Sequence, residues 1–293
     1  MKEKDIRDDE IRIIGEDEKP KFKGWKWLLL LLAGIIVGCV LYKVFKPSEE
    51  TPEGDPVEPG YFEPLPEVKE QTADKTVLAK AADVGHGFME MADTTINDIP
   101  MRIYIPHQMR FSLFVGTIDR NDPSILFATQ AADVRADNGG IVGAFVLEGE
   151  PLAWGLSKKG YCAIINDMVT VGVAENSPLF EEATEKGGYF FRQFPLVDHG
   201  KLVENDVKGK SVRRALCDRN GEILIVETLT PESFHDFSQA LADLGVDNAI
   251  YLVGSNSYGW ATDAEGQRHA FGCPDPPKKK WKNISYLVMK NKE

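Results

Sequence analysis

Three short stretches carry the side chains best suited to chemistry. Asp137-Asn138-Gly139-Gly140 sets a carboxylate and a carboxamide beside two residues without Cβ atoms, so a ligand can approach the main chain. The same four residues also suit a tight turn, and both readings stand at this point. Ser211-Val212-Arg213-Arg214-Ala215 offers two planar donor forks that match phosphate or carboxylate, although arginines on a strand are commonly just solvated. Leu252-Val253-Gly254-Ser255-Asn256-Ser257-Tyr258-Gly259 follows an apolar run and can hold an anion on backbone N–H groups, or serve as a plain connection. The five histidines show no ligand spacing and no Ser-His-Asp or Cys-His arrangement, so neither a metal nor a cofactor is expected. Cys162 and Cys217 fall in apolar runs and read as buried thiols, with a disulfide open but not assignable.

The elements that must position these residues are legible in part. Residues 222–228 (EILIVET) form an expected strand. Thr230-Pro231 then has the chemistry of an N-cap and first helical position, and Phe234, Phe237, Leu241 and Leu244 recur at helical spacing until Gly245. Residues 249–253 supply the next strand. Strand, helix and strand in succession predict a parallel pair with a right-handed crossover, which puts the helix start and the Gly254 loop at one sheet edge. Upstream, strands are expected over residues 101–105 and 110–116 with a Pro106 turn between them, and a helix over 124–135. A strand over 141–147 turns back at Glu148-Gly149-Glu150. Residues 161–165 and 169–173 bracket a hairpin turn at Asn166-Asp167.

Charge and hydropathy divide the rest. The 293 residues carry a formal charge of −12, which disfavours nucleic acid as a partner because phosphate binding needs a basic surface. Residues 1–26 hold eight basic and eight acidic side chains and read as a cytoplasmic tail. Residues 27–45 are apolar except for Lys43 and, flanked by Trp25, Trp27 and Tyr42, read as one membrane-spanning helix. Lys19, Lys21, Lys23 and Lys26 place the N-terminus in the cytoplasm and the main domain in the periplasm or outside the cell. Ile36-Val37-Gly38-Cys39 also resembles a lipoprotein box, the competing way to tether the chain. Residues 46–74 contain six prolines and nine acidic residues and read as an extended stalk. The remainder, 75–293, is expected to be a single α+β domain: one mixed sheet with packed helices.

Taken in order, these pieces resemble the phosphodiester glycosidase domain family. The residues that carry the resemblance are Asn138-Gly139-Gly140, Gln193-Phe194-Pro195-Leu196-Val197 with Gly200, Arg213-Arg214-Ala215, the helix after Thr230, and Leu252-Val253-Gly254-Ser255-Asn256-Ser257. The family's final loop carries an aspartate where this chain has Val253, two of its glycines are Ser255 and Asn256, and Arg214 stands for a threonine. The resemblance implies a hydrolase acting on sugar-1-phosphodiesters of an envelope glycan. In that reading Arg213 clamps the phosphate and Asn138 holds a sugar hydroxyl or the phosphate. Gly139, Gly140, Gln193, Arg214, Gly254, Ser255 and Ser257 line the substrate. Asp137 becomes the nearest acid or base, with Asp133 or Asp198 able to substitute. The alternative is a member of the same fold without catalysis that binds a glycan or a protein.

Overall fold

The computed structural model describes residues 85–254, 257–273 and 284–292, all inside the unit Lys69–Glu293. The expected tail, membrane span and stalk lie outside the described residues. The expected single-pass membrane localisation is corrected: among the described residues no helix is long and apolar enough to cross a membrane.

The expected α+β class is also corrected, because the described chain is built from three antiparallel sheets with two short helices. The first sheet runs β1 (Phe88–Ile96), β2 (Ile99–His107), β13 (Glu222–Thr228), β12 (Arg214–Arg219), β14 (Asn248–Leu252), β10 (Pro195–Asp198) and β11 (Lys201–Leu202). The second runs β16 (Arg268–Gly272), β15 (Tyr258–Thr262), β4 (Phe127–Gln130), β17 (Ser285–Asn291) and β3 (Met109–Val115). The third runs β6 (Glu150–Trp154), β5 (Ala144–Leu147), β9 (Tyr189–Gln193), β7 (Gly160–Ile165) and β8 (Met168–Val173). The helices are α1 (Leu179–Glu185) and α2 (Phe234–Asp243).

Local turns explain why antiparallel pairing wins. Asn220-Gly221 joins β12 to β13 with both residues at positive φ (53° and 82°), the conformation of the tightest hairpin turn. Once that hairpin forms, the free edge of β12 takes β14, again antiparallel. The expected parallel pair is therefore split: β13 and β14 run the same way, but β12 lies between them. The expected meeting of their C-terminal ends survives the split, since Arg214 stands opposite both Glu227 and Leu252. Asn166-Asp167 (φ 51° and 62°) and Glu148-Gly149 (51° and 81°) make the two expected hairpin turns.

Other local expectations change. Residues 124–135 hold β4 rather than a helix. Phe127, Ala128 and Thr129 are fully buried between β15 and β17, and a short apolar run covered on both faces has no helical stripe to expose. Pro106 lies inside β2, past the reach of β13, where its missing N–H costs no ladder bond to that neighbour; the turn is Gln108 alone. Helix α2 starts at Phe234, not at Thr230. Ser233 caps it by accepting from the Asp236 N–H at 3.0 Å, while Glu232 is held extended by pairing with Ser211.

The strand period then sorts side chains to the two faces of the seven-stranded sheet. Leu216, Ile225, Ile250 and Leu252 face a core shared with Phe127 and Leu287 of the second sheet and Phe145 and Phe191 of the third. Ala215, Cys217, Leu224 and Val226 face the opposite way and pack under Phe237 and Leu241 of α2. Glu227 falls in the inward register with Ile225, so a carboxylate is aimed into the shared core.

Candidate functional site

Arg213 immediately precedes Arg214, the first residue of β12, and their side chains make contacts on opposite faces of the sheet. Arg213 lies on the α2 side, with its guanidinium 4.5 Å from the Phe234 ring. Its Nε donates to the Glu232 carbonyl at 2.8 Å and its Nη2 to the Gly209 carbonyl at 2.6 Å. It ties two loops together and is 5% exposed.

Arg214 is fully buried on the inward face. Its Nη2 donates to Glu227 Oε1 at 2.5 Å, and its Nη1 reaches Thr129 Oγ1 (2.8 Å), the Val253 carbonyl (2.9 Å) and Ser257 Oγ (3.0 Å). Glu227 also accepts from the Tyr104 hydroxyl at 3.0 Å; burial, then the neighbouring carboxylate, hold that phenol's pKa above the ordinary tyrosine value. Arg214 Nε has no partner among the described residues. The Gly254 loop is drawn into this network: Ser257 Oγ donates within reach of both the Val253 and Gly254 carbonyls, at 2.5 and 2.7 Å. A Cβ on Gly254 would collide with the Val212 carbonyl, so the loop and the start of β12 lie backbone against backbone.

Strand β4 and the chain leaving it act as a rail between the motifs. Thr129 meets Arg214, and the Gln130 carbonyl accepts from the Val253 N–H at 3.2 Å. The Ala131 carbonyl accepts from Gln193 Nε2 at 3.3 Å. Two residues further on, Asp133 pairs with Lys158. Lys158 Nζ also donates to Gln193 Oε1 at 2.9 Å and sits 4.5 Å from the Phe194 ring. The Lys158 side chain is 7% exposed, whereas that of Asp133 is 36% exposed. Burial lowers the Lys158 pKa, and the Asp133 charge offsets part of that fall. Phe194, Tyr251 and Val253 are half-buried, and the Tyr251 hydroxyl accepts from the Gly254 N–H at 3.2 Å.

The Asn-Gly-Gly stretch closes the far end of the rail as a tight turn. Arg135 N–H donates to the Gly140 carbonyl and Gly139 N–H to the Arg135 carbonyl, at 2.8 and 2.9 Å. Asn138 Oδ1 accepts from the Gly140 N–H, and Gly139 sits at φ 71°. Asn138 and Asp137 both face solvent. Arg135 grips Asp137 with two hydrogen bonds and pulls its pKa down to about 2, the wrong direction for a group that must donate a proton near neutrality. Asp198 is the last residue of β10, paired with His199 at 2.7 Å. Ser255 and Asn256 lie outside the described residues. Thus Gln193, Arg214, Gly254 and Ser257 are joined through β4, while Arg213 faces the other side of the sheet.

Sequence reasoning missed Lys158, which stands in the loop Gly155-Leu156-Ser157-Lys158-Lys159 with no motif around it. It also passed over Glu227, whose signal was present: a charge in an apolar strand, in register with inward residues 223 and 225. Cys162 and Cys217 are buried in separate clusters, and burial pushes both thiols up.

No family model matches the chain, and no curated protein does. Solved structures do. The catalytic domain of zebrafish N-acetylglucosamine-1-phosphodiester α-N-acetylglucosaminidase, auto-inhibited by its pro-peptide, aligns with a TM-score of 0.52 at 13% identity, over 73% of this chain and 86% of that one. The chain is similar to that domain in fold. A hypothetical protein from Synechocystis aligns with a TM-score of 0.51 at 12% identity, over 70% of this chain and 62% of that one. At such identities the likeness is one of fold, distantly shared.

Proposed function

We propose that this chain is a glycan-binding module on a glycosidase-like fold, and that it takes a sugar phosphodiester at the Asp133–Lys158–Gln193 constellation. The observation that carries the reading is the contrast in engagement among the cations. Arg213 is committed to two carbonyls and Arg214 to Glu227 and three oxygens, which leaves Lys158 beside a half-open carboxylate. Lys158 supplies the charge for the phosphodiester, Asp133 accepts from a sugar hydroxyl, and Gln193 fixes the ammonium in place. Hydrolysis of a glycoside ordinarily draws on a pair of carboxylates. Here Val253 takes the acidic position of the family pattern, and Asp137 is neutralised by Arg135.

One observation favours the hydrolytic alternative. Asp133 rests against a lysine whose burial weakens its hold on a proton, the arrangement of a group tuned for proton transfer. The methyl phosphodiester of N-acetylglucosamine 1-phosphate separates the two. Calorimetric binding without released sugar, lost in Lys158→Met, supports the binding module. Sugar release that disappears in Asp133→Asn establishes the hydrolase instead. Neither binding nor release removes both.

A further inference from the structure

A groove opens on the third sheet, beside the loop that carries Lys158. Strand β6 is an edge strand whose outward residues are Glu150, Leu152 and Trp154. Exposed apolar side chains on a sheet edge invite unwanted pairing unless they serve contact with something. Trp154 is 68% exposed and Leu156 67%, and with Leu152 they make three of the six large exposed apolar residues among those described. Trp154 and Leu156 border this groove of about 510 Å³, which is also lined by Pro178 and Phe180 of the α1 region and whose polar groups include Asn176, Glu181 and Arg192.

The groove is held open by its own floor. Arg192 is 2% exposed, and its guanidinium donates to the carbonyls of Lys158 (3.1 Å), Ala174 (2.9 Å) and Glu175 (2.8 Å). Those carbonyls belong to the two loops that form opposite rims, so a buried cation fixes the width before any ligand arrives. A concavity of this volume fits one or two sugar rings, and is too small and too curved for the flat face that a stable protein interface needs. Its charge excludes an anion: Arg192 is occupied by carbonyls, and exposed Glu181 presents negative charge at the rim.

We propose that this groove is a subsite for a neutral pyranose ring, which stacks its C–H face on Trp154 and directs its hydroxyls to Asn176 and Glu181. The inference rests on the glycan reading given above. It adds a second, uncharged contact to the phosphodiester site, with residues 154–158 shared between them. The phosphodiester end of a glycan meets Lys158 while a neighbouring neutral sugar meets Trp154.

Full-length protein, Trp154→Ala and Trp154→Phe are titrated by calorimetry with neutral trisaccharides of the chito, manno, cello, malto and xylo series. Lys158→Met and the methyl phosphodiester of N-acetylglucosamine 1-phosphate complete the grid. Unchanged far-ultraviolet dichroism certifies that the exposed tryptophan variants fold. The expected result is binding of at least one neutral trisaccharide, weakened about tenfold in Trp154→Ala and largely kept in Trp154→Phe, as loss and retention of an aromatic stack require. Full neutral-sugar affinity in Trp154→Ala overturns the groove; if Lys158→Met still loses the phosphodiester, the charged site stands without it. Loss in Trp154→Ala with no phosphodiester binding to wild type keeps the groove and removes the charged site. A wild-type protein that binds none of the trisaccharides overturns the groove, whatever the phosphodiester does.

Discussion

Among the described residues two cation–carboxylate pairs have a buried cation, and they differ in one respect. In Arg214–Glu227 the side chains are 0% and 6% exposed, and in Lys158–Asp133 they are 7% and 36% exposed. Both cations are buried, and both are roped to β4 or to the chain that leaves it. Arg214 directs its donors to Glu227, Thr129, Ser257 and the Val253 carbonyl, and the second oxygen of Glu227 is taken by Tyr104. Apart from Arg214 Nε, the donors and acceptors of this pair are met from within the fold, and the network works as a buried polar staple between the first two sheets. The other pair keeps one partner open to solvent. Closure makes the first pair structural, and the opening of the second is what the proposed site rests on.

The largest expected effect tests the closed pair. Glu227→Ala strands the buried Arg214 guanidinium without its counter-charge, and should destabilise the fold by about 3–5 kcal/mol. For a domain of this size that lowers the thermal midpoint by roughly 6 °C or more. Replacing both partners with apolar residues, Arg214→Met with Glu227→Leu, should recover most of the loss, because no buried charge then remains unpaired. A Glu227→Ala protein that melts with the wild type would place solvent at this pair and erase the contrast. Next in size is Gly254→Ala, whose Cβ meets the Val212 carbonyl and must displace the loop that supplies the Val253 and Ser257 oxygens to Arg214. A cost of about 1–3 kcal/mol is expected from overpacking backbone against backbone, read as a shifted denaturant midpoint with unchanged slope.

The open pair should respond in binding rather than in stability. Lys158→Met removes a buried charge and keeps the apolar stem, so the thermal midpoint should hold while phosphodiester affinity falls about tenfold, the loss of one charge-assisted contact. Its pH dependence has a definite sign. Burial sets the folded pKa of Lys158 below the value of 10.5 that it has when unfolded. Between the two the unfolded chain holds a proton that the folded chain has released, so the Lys158 contribution to stability rises with pH across that window. Phosphodiester binding runs the other way and weakens as pH climbs through the folded pKa. Affinity that stays flat up to the ordinary lysine range would separate Lys158 from the anion.

Much of this was readable before any fold was known, and the misreadings share a cause. The hairpin turns at Asn166-Asp167 and Glu148-Gly149, the amphipathic stripe of α2 and the buried run of residues 249–252 are local signals, and local signals survive folding. The parallel crossover failed because strand order depends on who pairs first, and the Asn220-Gly221 hairpin inserted β12. The helix expected over 124–135 failed because burial on both faces outranks helix propensity. At the site, Arg213 was the expected clamp with Arg214 lining the substrate beside it, yet the two consecutive side chains make their contacts on opposite faces of the sheet. Lys158 was invisible for a different reason: its partners Asp133 and Gln193 lie 25 and 35 residues away, and only tertiary packing joins them.

The smallest effect falls on the residue that sequence alone had favoured as an acid. Asp137 faces solvent with Arg135 beside it, and the two hydrogen bonds from that guanidinium hold its pKa at about 2. A depressed carboxylate favours the fold above its unfolded value, and that contribution fades as pH falls from the ordinary aspartate range to about 2. Full exposure lets water and salt screen the pair, so Asp137→Asn should leave the thermal midpoint at neutral pH unchanged within error. It should leave sugar phosphodiester binding unchanged too, because the turn is closed by Asn138 Oδ1 and by backbone bonds that this substitution does not touch. A carbon-detected titration of the wild-type carboxyl gives the direct check, with a midpoint near 2 expected. Should Asp137→Asn instead abolish binding, the ligand sits on the Asn-Gly-Gly turn, and the weight placed on the half-open lysine pair moves there.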